Sequence, residues 1–161
     1  MIVVSDTTPL ISLLKINRID LLEKLFGEVL IPEAVFNELT IDERFQLEAN
    51  QIRQKKYITV KPITNLNALN LLKRATGLDQ GEILTDEYNA DLLLMDEAKG
   101  RTVSTQMGLK IMGTIGILMA AYEERQLTAN EVRECISGLQ RAGRHISNKH
   151  YQLLLDKLKN L

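Results

Sequence analysis

Short apolar runs alternate along the first 113 residues with longer segments whose apolar positions recur at helical spacing. The runs are rich in β-branched and apolar residues, which is typical of strands buried in a parallel sheet. They predict five strands, at residues 1–5, 29–31, 57–60, 91–95 and 110–112. Because helical segments separate the strands, the pattern predicts βαβ units and a mainly parallel sheet with helices on both faces.

The helical segments carry apolar stripes at intervals of three and four residues. Asp6, which precedes Thr-Thr-Pro, has the character of a helix start, and Gly27 has that of a helix end. Pro32 is predicted to begin the helix after the second strand. Further helices are predicted over residues 41–56, 66–75, 82–89 and 102–107, followed by three in a C-terminal tail, at about 114–125, 128–142 and 147–159.

The chain of 161 residues suits one domain with a substantial core, so we predict a single domain over residues 1–161 with a helical tail from about residue 114. The lone cysteine, Cys135, lies in a helical pattern and is expected in the core. Without a second cysteine no internal disulfide can form, which fits the cytosol. No apolar stretch approaches the roughly 18 residues of a membrane span, and the N-terminus lacks the features of a signal peptide. We therefore expect a cytoplasmic protein without a membrane partner.

The charge of the chain is unevenly distributed. The formal net charge is −1, but residues 1–50 carry nine acids and four bases, whereas residues 51–161 carry sixteen bases and twelve acids. A polyanionic substrate would therefore need local basic groups and a bridging metal ion. One basic cluster near the end is a solvated face by default, with RNA or an acidic partner segment as the alternative ligand; it comprises Arg141, Arg144, His145, Lys149 and His150.

Four acidic residues lie where a parallel sheet would gather them. Asp6 and Asp96 follow the first and fourth predicted strands. Glu38 lies in the helix after the second strand, and Glu82 begins the helix before the fourth. Because ligands bind at the carboxyl ends of parallel strands, these carboxylates can converge on one edge if the first and fourth strands are neighbours. Clustered carboxylates favour Mg²⁺ or Mn²⁺, which activates water and stabilises charge on a phosphoryl group.

Each acid also has a purely structural interpretation. Asp6 could cap the helix that it precedes, and Glu82 could favour a helix N-terminus electrostatically. Glu38 could be a solvated surface residue, and Asp96 could belong to a turn. Taken one at a time, the structural interpretations are favoured; taken together at strand ends, the metal site and the structural roles are evenly matched.

Weaker signals surround these acids and make four residues candidates for substrate binding. Thr7 and Ser12 could orient a metal-bound water or a phosphate, or could cap the helix. Lys99 and Arg101 could hold a phosphate or lie in a solvated turn. The Gly-Thr-Ile-Gly segment at residues 113–116 lacks the spacing and lysine of a Walker motif, so it is predicted to be a tight strand-to-helix junction.

Together these motifs resemble the PIN-domain family, most closely its VapC-like branch. The resemblance covers nearly the whole chain and rests on residues 5–11, 38–39, 81–82, 92–97, 100–101 and 113–116. It implies a three-layer α/β/α fold around a central, mainly parallel five-stranded sheet, and the activity of a metal-dependent endoribonuclease. By position, Asp6, Glu38, Glu82 and Asp96 would be the catalytic, metal-binding acids.

The resemblance also implies a cofactor and partners. The cofactor would be Mg²⁺ or Mn²⁺, and the substrate would be single-stranded or looped RNA. Such proteins are typically the toxin of a toxin–antitoxin pair, so a cognate antitoxin that blocks the site would be the protein partner. A receiver-like phosphoacceptor domain, which also gathers acids at strand ends, is a less favoured alternative.

One segment departs from the family pattern. The stretch between Glu82 and Asp96 is shorter than usual by about one helical turn. The remaining helix over residues 82–89 spans about 12 Å, whereas a five-residue strand spans about 17 Å. The helix is therefore short for carrying the chain back to the start of the fourth strand. Two outcomes follow: Glu82 is drawn out of the acidic cluster, which weakens or abolishes metal-dependent cleavage, or the protein forms a domain-swapped oligomer hinged at residues 76–89. The alternative function is a catalytically inactive PIN-fold module that binds an antitoxin or self-assembles by domain swapping.

Overall fold

The architecture comes from a computed structural model that describes residues 1–62, 90–96, 110–144, 146 and 148–159. Its centre is a sheet of five strands, namely β1 (Val3–Ser5), β2 (Val29–Pro32), β3 (Ile58–Lys61), β4 (Leu92–Leu94) and β5 (Ile111–Met112). The strand order is β3-β2-β1-β4-β5, and every neighbouring pair is parallel. The predicted α/β fold with a parallel five-stranded sheet is therefore confirmed.

Within the described residues, helices flank the strands in the predicted order. They are α1 (Thr7–Lys15), α2 (Asp20–Phe26), α3 (Glu33–Ile41), α4 (Gln46–Arg53), α5 (Thr114–Glu123), α6 (Ala129–Arg141) and α7 (Asn148–Lys159). None of them has the length and apolar character that crossing a membrane requires. The helices predicted over residues 66–75, 82–89 and 102–107, and the hinge proposed at residues 76–89, lie outside the described residues.

Two predicted boundaries differ from the structure. Pro32 ends β2 instead of beginning the next helix, which starts at Glu33. The helix predicted over residues 41–56 is interrupted by a 3-10 turn at Glu43–Phe45. The carboxylate of Asp42 accepts a hydrogen bond from the Arg44 backbone N–H at 3.0 Å. Asp42 therefore caps a new turn inside the segment that was predicted to be one helix.

The sheet buries both of its faces, as its apolar strands predict. The register pairs Val3 with Leu92 and Val4 with Leu93 on the neighbouring strands β1 and β4. Because successive side chains point to opposite faces, the strands contribute to two separate apolar clusters. One includes Val3 and Leu92 together with residues of α1–α4, and the other consists of Val4, Leu30, Leu93 and Met95.

The helical tail forms a third apolar cluster. Helices α5, α6 and α7 pack against one another and against Leu21 of α2. Cys135 lies in this cluster, as expected, and burial raises the pKa of its thiol. Outside the cluster, the Arg18 guanidinium donates to Glu131 of α6 at 3.3 Å, which ties the tail to the start of α2.

The strand order creates a switch point between β1 and β4. From β1 the chain proceeds outward through β2 and β3, and β4 returns to the opposite side of β1. The Asp6 N–H donates to the Leu94 carbonyl at 2.9 Å, which extends this pairing to the last residues of both strands. In open α/β sheets the crevice at such a point is the usual ligand site.

Candidate active site at the sheet edge

Asp6 directly follows β1 and forms the N-cap of α1. Its Oδ1 accepts a hydrogen bond from the Thr7 backbone N–H at 2.9 Å, and the residue is largely buried. The capping interpretation of Asp6 is therefore correct. Capping does not remove the carboxylate from the strand edge, because α1 itself begins there.

Asp96 follows β4 and is held by a residue distant in sequence. Its Oδ1 accepts from the Thr114 backbone N–H and its Oδ2 accepts from the Thr114 hydroxyl, both at 2.7 Å. Thr114 is the first residue of α5 and is buried. The first N–H groups of a helix lack partners within it, so Asp96 supplies an acceptor to the start of α5. The two bonds also fix the orientation of the Asp96 carboxylate.

The segment at residues 113–116 is a strand-to-helix junction, as predicted. Gly113 lies between β5 and α5 in an extended conformation. A Cβ atom added to Gly116 would lie 2.7 Å from Cγ of Met112, so the Met112 side chain would have to move to admit a larger residue. The junction therefore brings Thr114 close to the end of β4.

The predicted substrate residues in α1 lie beside this edge, with one change of role. Thr7 is the first residue of α1, but the cap is Asp6. Ser12 lies in the interior of α1 and is buried, so the capping role considered for it is wrong. Its hydroxyl instead accepts a hydrogen bond from Nε of Arg144 at 2.9 Å, and Nη2 of Arg144 donates to the Thr8 carbonyl at 3.3 Å.

The basic cluster of the sequence is divided by the fold. Arg144 contacts α1, whereas Arg141 lines a separate cavity together with Arg18 and Glu131. The sequence pattern did not assign Arg144 to this place. Gly143 after the α6 pattern indicates a chain reversal at the helix end, but it does not indicate which element Arg144 contacts. Gly143 does have a φ of 74°.

A cleft of about 940 Å³ opens between the sheet edge and the helical tail. Asp96, Ser12 and Arg144 contribute polar groups to its lining. Thr8, Thr114, His150 and Lys157 also line it. The apolar lining comes from β5 and the tail and includes Met112, Ile115, Met119, Leu139, Ile146, Leu153 and Leu154.

Several predicted site residues remain outside what the structure describes. Glu82, Lys99 and Arg101 lie outside the described residues, and Glu38 lies in α3 with its side chain outside the description. Over the described parts of the chain, no group of three or more His, Cys, Asp or Glu side chains is placed to hold a metal ion. The four-acid site therefore remains a prediction, of which the structure positions Asp6 and Asp96.

The family was identified by comparison with known proteins. The DUF3368 family model, described as a PIN domain, matches residues 2–160. The chain belongs to this PIN-domain family. PIN domains are in general nucleases that use divalent metal ions. No curated protein and no solved structure matches the chain significantly.

The donor chemistry of Asp96 fits a divalent ion in this PIN domain. Magnesium and manganese prefer oxygen ligands, and an ionised carboxylate offers about four lone-pair sites. Among the described residues, the two bonds from Thr114 engage one site on each oxygen of Asp96, which leaves both oxygens further acceptor capacity. Hydrogen bonds of this kind to a ligating carboxylate are a common feature of metal sites, because they fix its direction.

Proposed function

We propose that this PIN domain is a metal-dependent endoribonuclease that cuts single-stranded or looped RNA, with Asp6, Glu38, Glu82 and Asp96 as its metal-binding acids. The observation that carries the proposal is the placement of Asp6 and Asp96. They follow two adjacent parallel strands at the switch point of the sheet, and Asp96 also lines the cleft. The family match supports the nuclease chemistry.

The roles of the described residues follow from their contacts. Asp96 is oriented by Thr114, so its carboxylate is held in place before a ligand arrives. Asp6 is held by the first turn of α1, where the helix N-terminus favours its negative charge. A bound Mg²⁺ or Mn²⁺ supplies a water of lowered pKa and stabilises negative charge on the phosphoryl group. Thr7, Lys99 and Arg101 are the proposed direct contacts to RNA. Ser12 is proposed to contribute indirectly, because its buried hydroxyl holds Arg144.

The proposal is tested with a labelled single-stranded RNA and the purified chain. Cleavage is measured with Mg²⁺, with Mn²⁺ and with a chelator, in parallel with Asp6→Asn. Asparagine caps helices as well as aspartate does, so this variant removes the charge and keeps the cap. We expect metal-dependent cutting that is abolished in the variant. Cutting that persists in the chelator or in Asp6→Asn would overturn the proposed site.

A toxin role with a cognate antitoxin is the finer part of the proposal, and an apolar surface supports it. Leu153 of α7 is 54% exposed and lines the same cleft as the apolar side chains of Met112 and Met119. A segment of a partner protein could cover this surface and close access to Asp96. Co-expression with the neighbouring reading frame of the genome, followed by co-purification, tests this; loss of the complex in Leu153→Asp would locate the contact.

The second candidate is a catalytically inactive PIN-fold module that binds the antitoxin or self-assembles, with domain swapping at residues 76–89 as one route. The same apolar cleft favours it, because a binding module needs the surface but not the metal. Light scattering distinguishes self-assembly, since the monomer has a mass of 18.2 kDa. A monomer without RNA cleavage, but with retained antitoxin binding, would favour the binding module over the nuclease.

A further inference from the structure

Arg144 is directed towards α1 by the way in which α6 ends. The N–H of Gly143 donates to the Gln140 carbonyl at 3.1 Å, and the N–H of Arg144 donates to the Leu139 carbonyl at 2.9 Å. These two bonds, with the positive φ of Gly143, form the Schellman arrangement of a helix C-terminus. The chain therefore reverses directly after α6, and the reversal carries the Arg144 side chain back across α1.

The guanidinium of Arg144 is then fixed on the helix that Asp6 caps. Nε donates to the buried Ser12 hydroxyl at 2.9 Å, and Nη2 donates to the Thr8 carbonyl at 3.3 Å. An arginine carries five N–H donors. Among the residues that the structure describes, none accepts from the other N–H groups of Arg144, although this side chain lines the same cleft as Asp96.

The charge balance of the cleft gives this arginine a chemical role. The edge carries two carboxylates, and a nucleic-acid strand that approaches them is repelled by like charge. Lys157 also lines the cleft, but its Nζ lies 3.5 Å from Oε1 of Glu123. Arg144 has no carboxylate partner among the described residues, and its planar fork of donors matches the oxygens of a phosphate group.

We propose that Arg144 binds a phosphate group of the nucleic-acid strand and so positions the scissile phosphodiester near Asp6 and Asp96, an inference that rests on the proposed nuclease function. The competing interpretation is that Arg144 only braces α6 against α1. The two interpretations differ in what removal of the side chain changes. A brace affects stability alone, whereas a bond to phosphate also affects the salt dependence of RNA binding.

The experiment compares Arg144→Gln with Arg144→Lys, and uses Arg141→Gln as the matched control in the separate cavity. Binding of a labelled single-stranded RNA is titrated in chelator at increasing salt, so that no cutting occurs. Removing one ion pair between the protein and an RNA phosphate is expected to reduce the slope of log affinity against log salt by about 0.7. We expect this reduction and roughly tenfold weaker binding in Arg144→Gln, a restored slope in Arg144→Lys, and no change in Arg141→Gln.

Cleavage in Mn²⁺ supplies a second readout. KM is expected to rise about tenfold in Arg144→Gln, and roughly fivefold in Ser12→Ala, which keeps the charge but removes its anchor. An unchanged slope and KM, with only a lower melting temperature in Arg144→Gln, would overturn the proposed phosphate binding. RNA binding that depends on Arg144 without any cutting would support the phosphate binding and overturn the proposed reaction. No RNA binding by the wild type in chelator, together with no cutting in Mn²⁺, would overturn both.

Discussion

Asp6 and Asp96 occupy equivalent places after two neighbouring parallel strands, but they are held by different kinds of contact. Asp6 caps the helix that follows it and accepts from the next residue, Thr7. Asp96 accepts from Thr114, which lies 18 residues further along the chain and begins another helix. Any good capping residue at position 6 can make the local contact to Thr7. The long-range contact is lost if either Asp96 or Thr114 is replaced. The two acids should therefore share a role in catalysis and differ in their effect on stability.

The largest expected effect concerns cleavage and tests the shared role. Asp6→Asn and Asp96→Asn should each lower kcat for RNA by at least about 100-fold, because each removes a charge that holds the metal ion. The measurement is single-turnover cleavage in saturating Mn²⁺. Arg133→Gln, on the exposed face of α6, is the control and should cut like the wild type. Full activity in either Asp variant would break the equivalence of the two acids.

The second prediction separates the same acids by stability. Asp96→Ala leaves two donors of the buried Thr114 without their acceptor, so it should lower the free energy of unfolding by about 2 kcal/mol. Asp6→Asn keeps a capping oxygen and should cost less than about 0.5 kcal/mol. Urea denaturation followed by circular dichroism measures both values. Equal losses of stability would contradict the distinction between the local and the long-range contact.

The sequence predicted the strands and most helices because their signals are local. The apolar runs at residues 29–31 and 92–95, and the Thr128 cap, are read from neighbouring residues, and each agrees with the structure within one or two positions. The placement of Asp6 and Asp96 on one edge also followed, since parallel strands end together.

The contacts that fix the site were not predictable in the same way. The bonds from Thr114 to Asp96 and from Arg144 to Ser12 join residues that the pattern of the sequence treats separately. Ser12 was predicted to cap the helix or to orient a metal-bound water or a phosphate, and its neighbours in α1 give no sign of Arg144. Only the packing of the helical tail on α1 creates that pair.

A third prediction extends the comparison to another acid with a distant partner. Oε1 of Glu48 lies 2.6 Å from Nζ of Lys15, and the Glu48 side chain is 5% exposed. Burial alone would raise the pKa of Glu48, but the hydrogen bonds and charge of its surroundings, chiefly Lys15, lower it below the usual value. The pair therefore adds stability above a pH of about 4.3, where an unfolded glutamate is ionised. This stability is lost as the pH falls through the lower pKa of the folded state.

Lys15→Met should consequently lower the free energy of unfolding by about 1.5 kcal/mol at pH 7, since it leaves a buried carboxylate without its partner. The deficit should shrink as the pH falls, first through the pKa of Glu48 in the variant, which burial raises once Lys15 is absent, and then through the lowered pKa of Glu48 in the wild type. Urea denaturation of both proteins between pH 3 and pH 7 measures this difference in the free energy of unfolding. Lys24→Met removes a cation of the exposed pair with Asp20 and serves as the matched control. A deficit that is constant with pH would mean that Lys15 acts through packing and not through its charge.

The smallest expected effect returns to a local contact, the capping box at the start of α6. The Thr128 hydroxyl accepts from the Glu131 N–H at 3.1 Å, and the Glu131 carboxylate accepts from the Thr128 N–H at 3.0 Å. Thr128→Ala should cost about 1 kcal/mol, and Thr128→Ser should restore nearly all of it, because serine caps equally well. Thermal unfolding measures both. The capping box and Arg144 lie at opposite ends of α6, so cleavage by Thr128→Ala below its melting temperature should match the wild type. A loss of activity in this variant would show that the capping box affects the active site as well as stability.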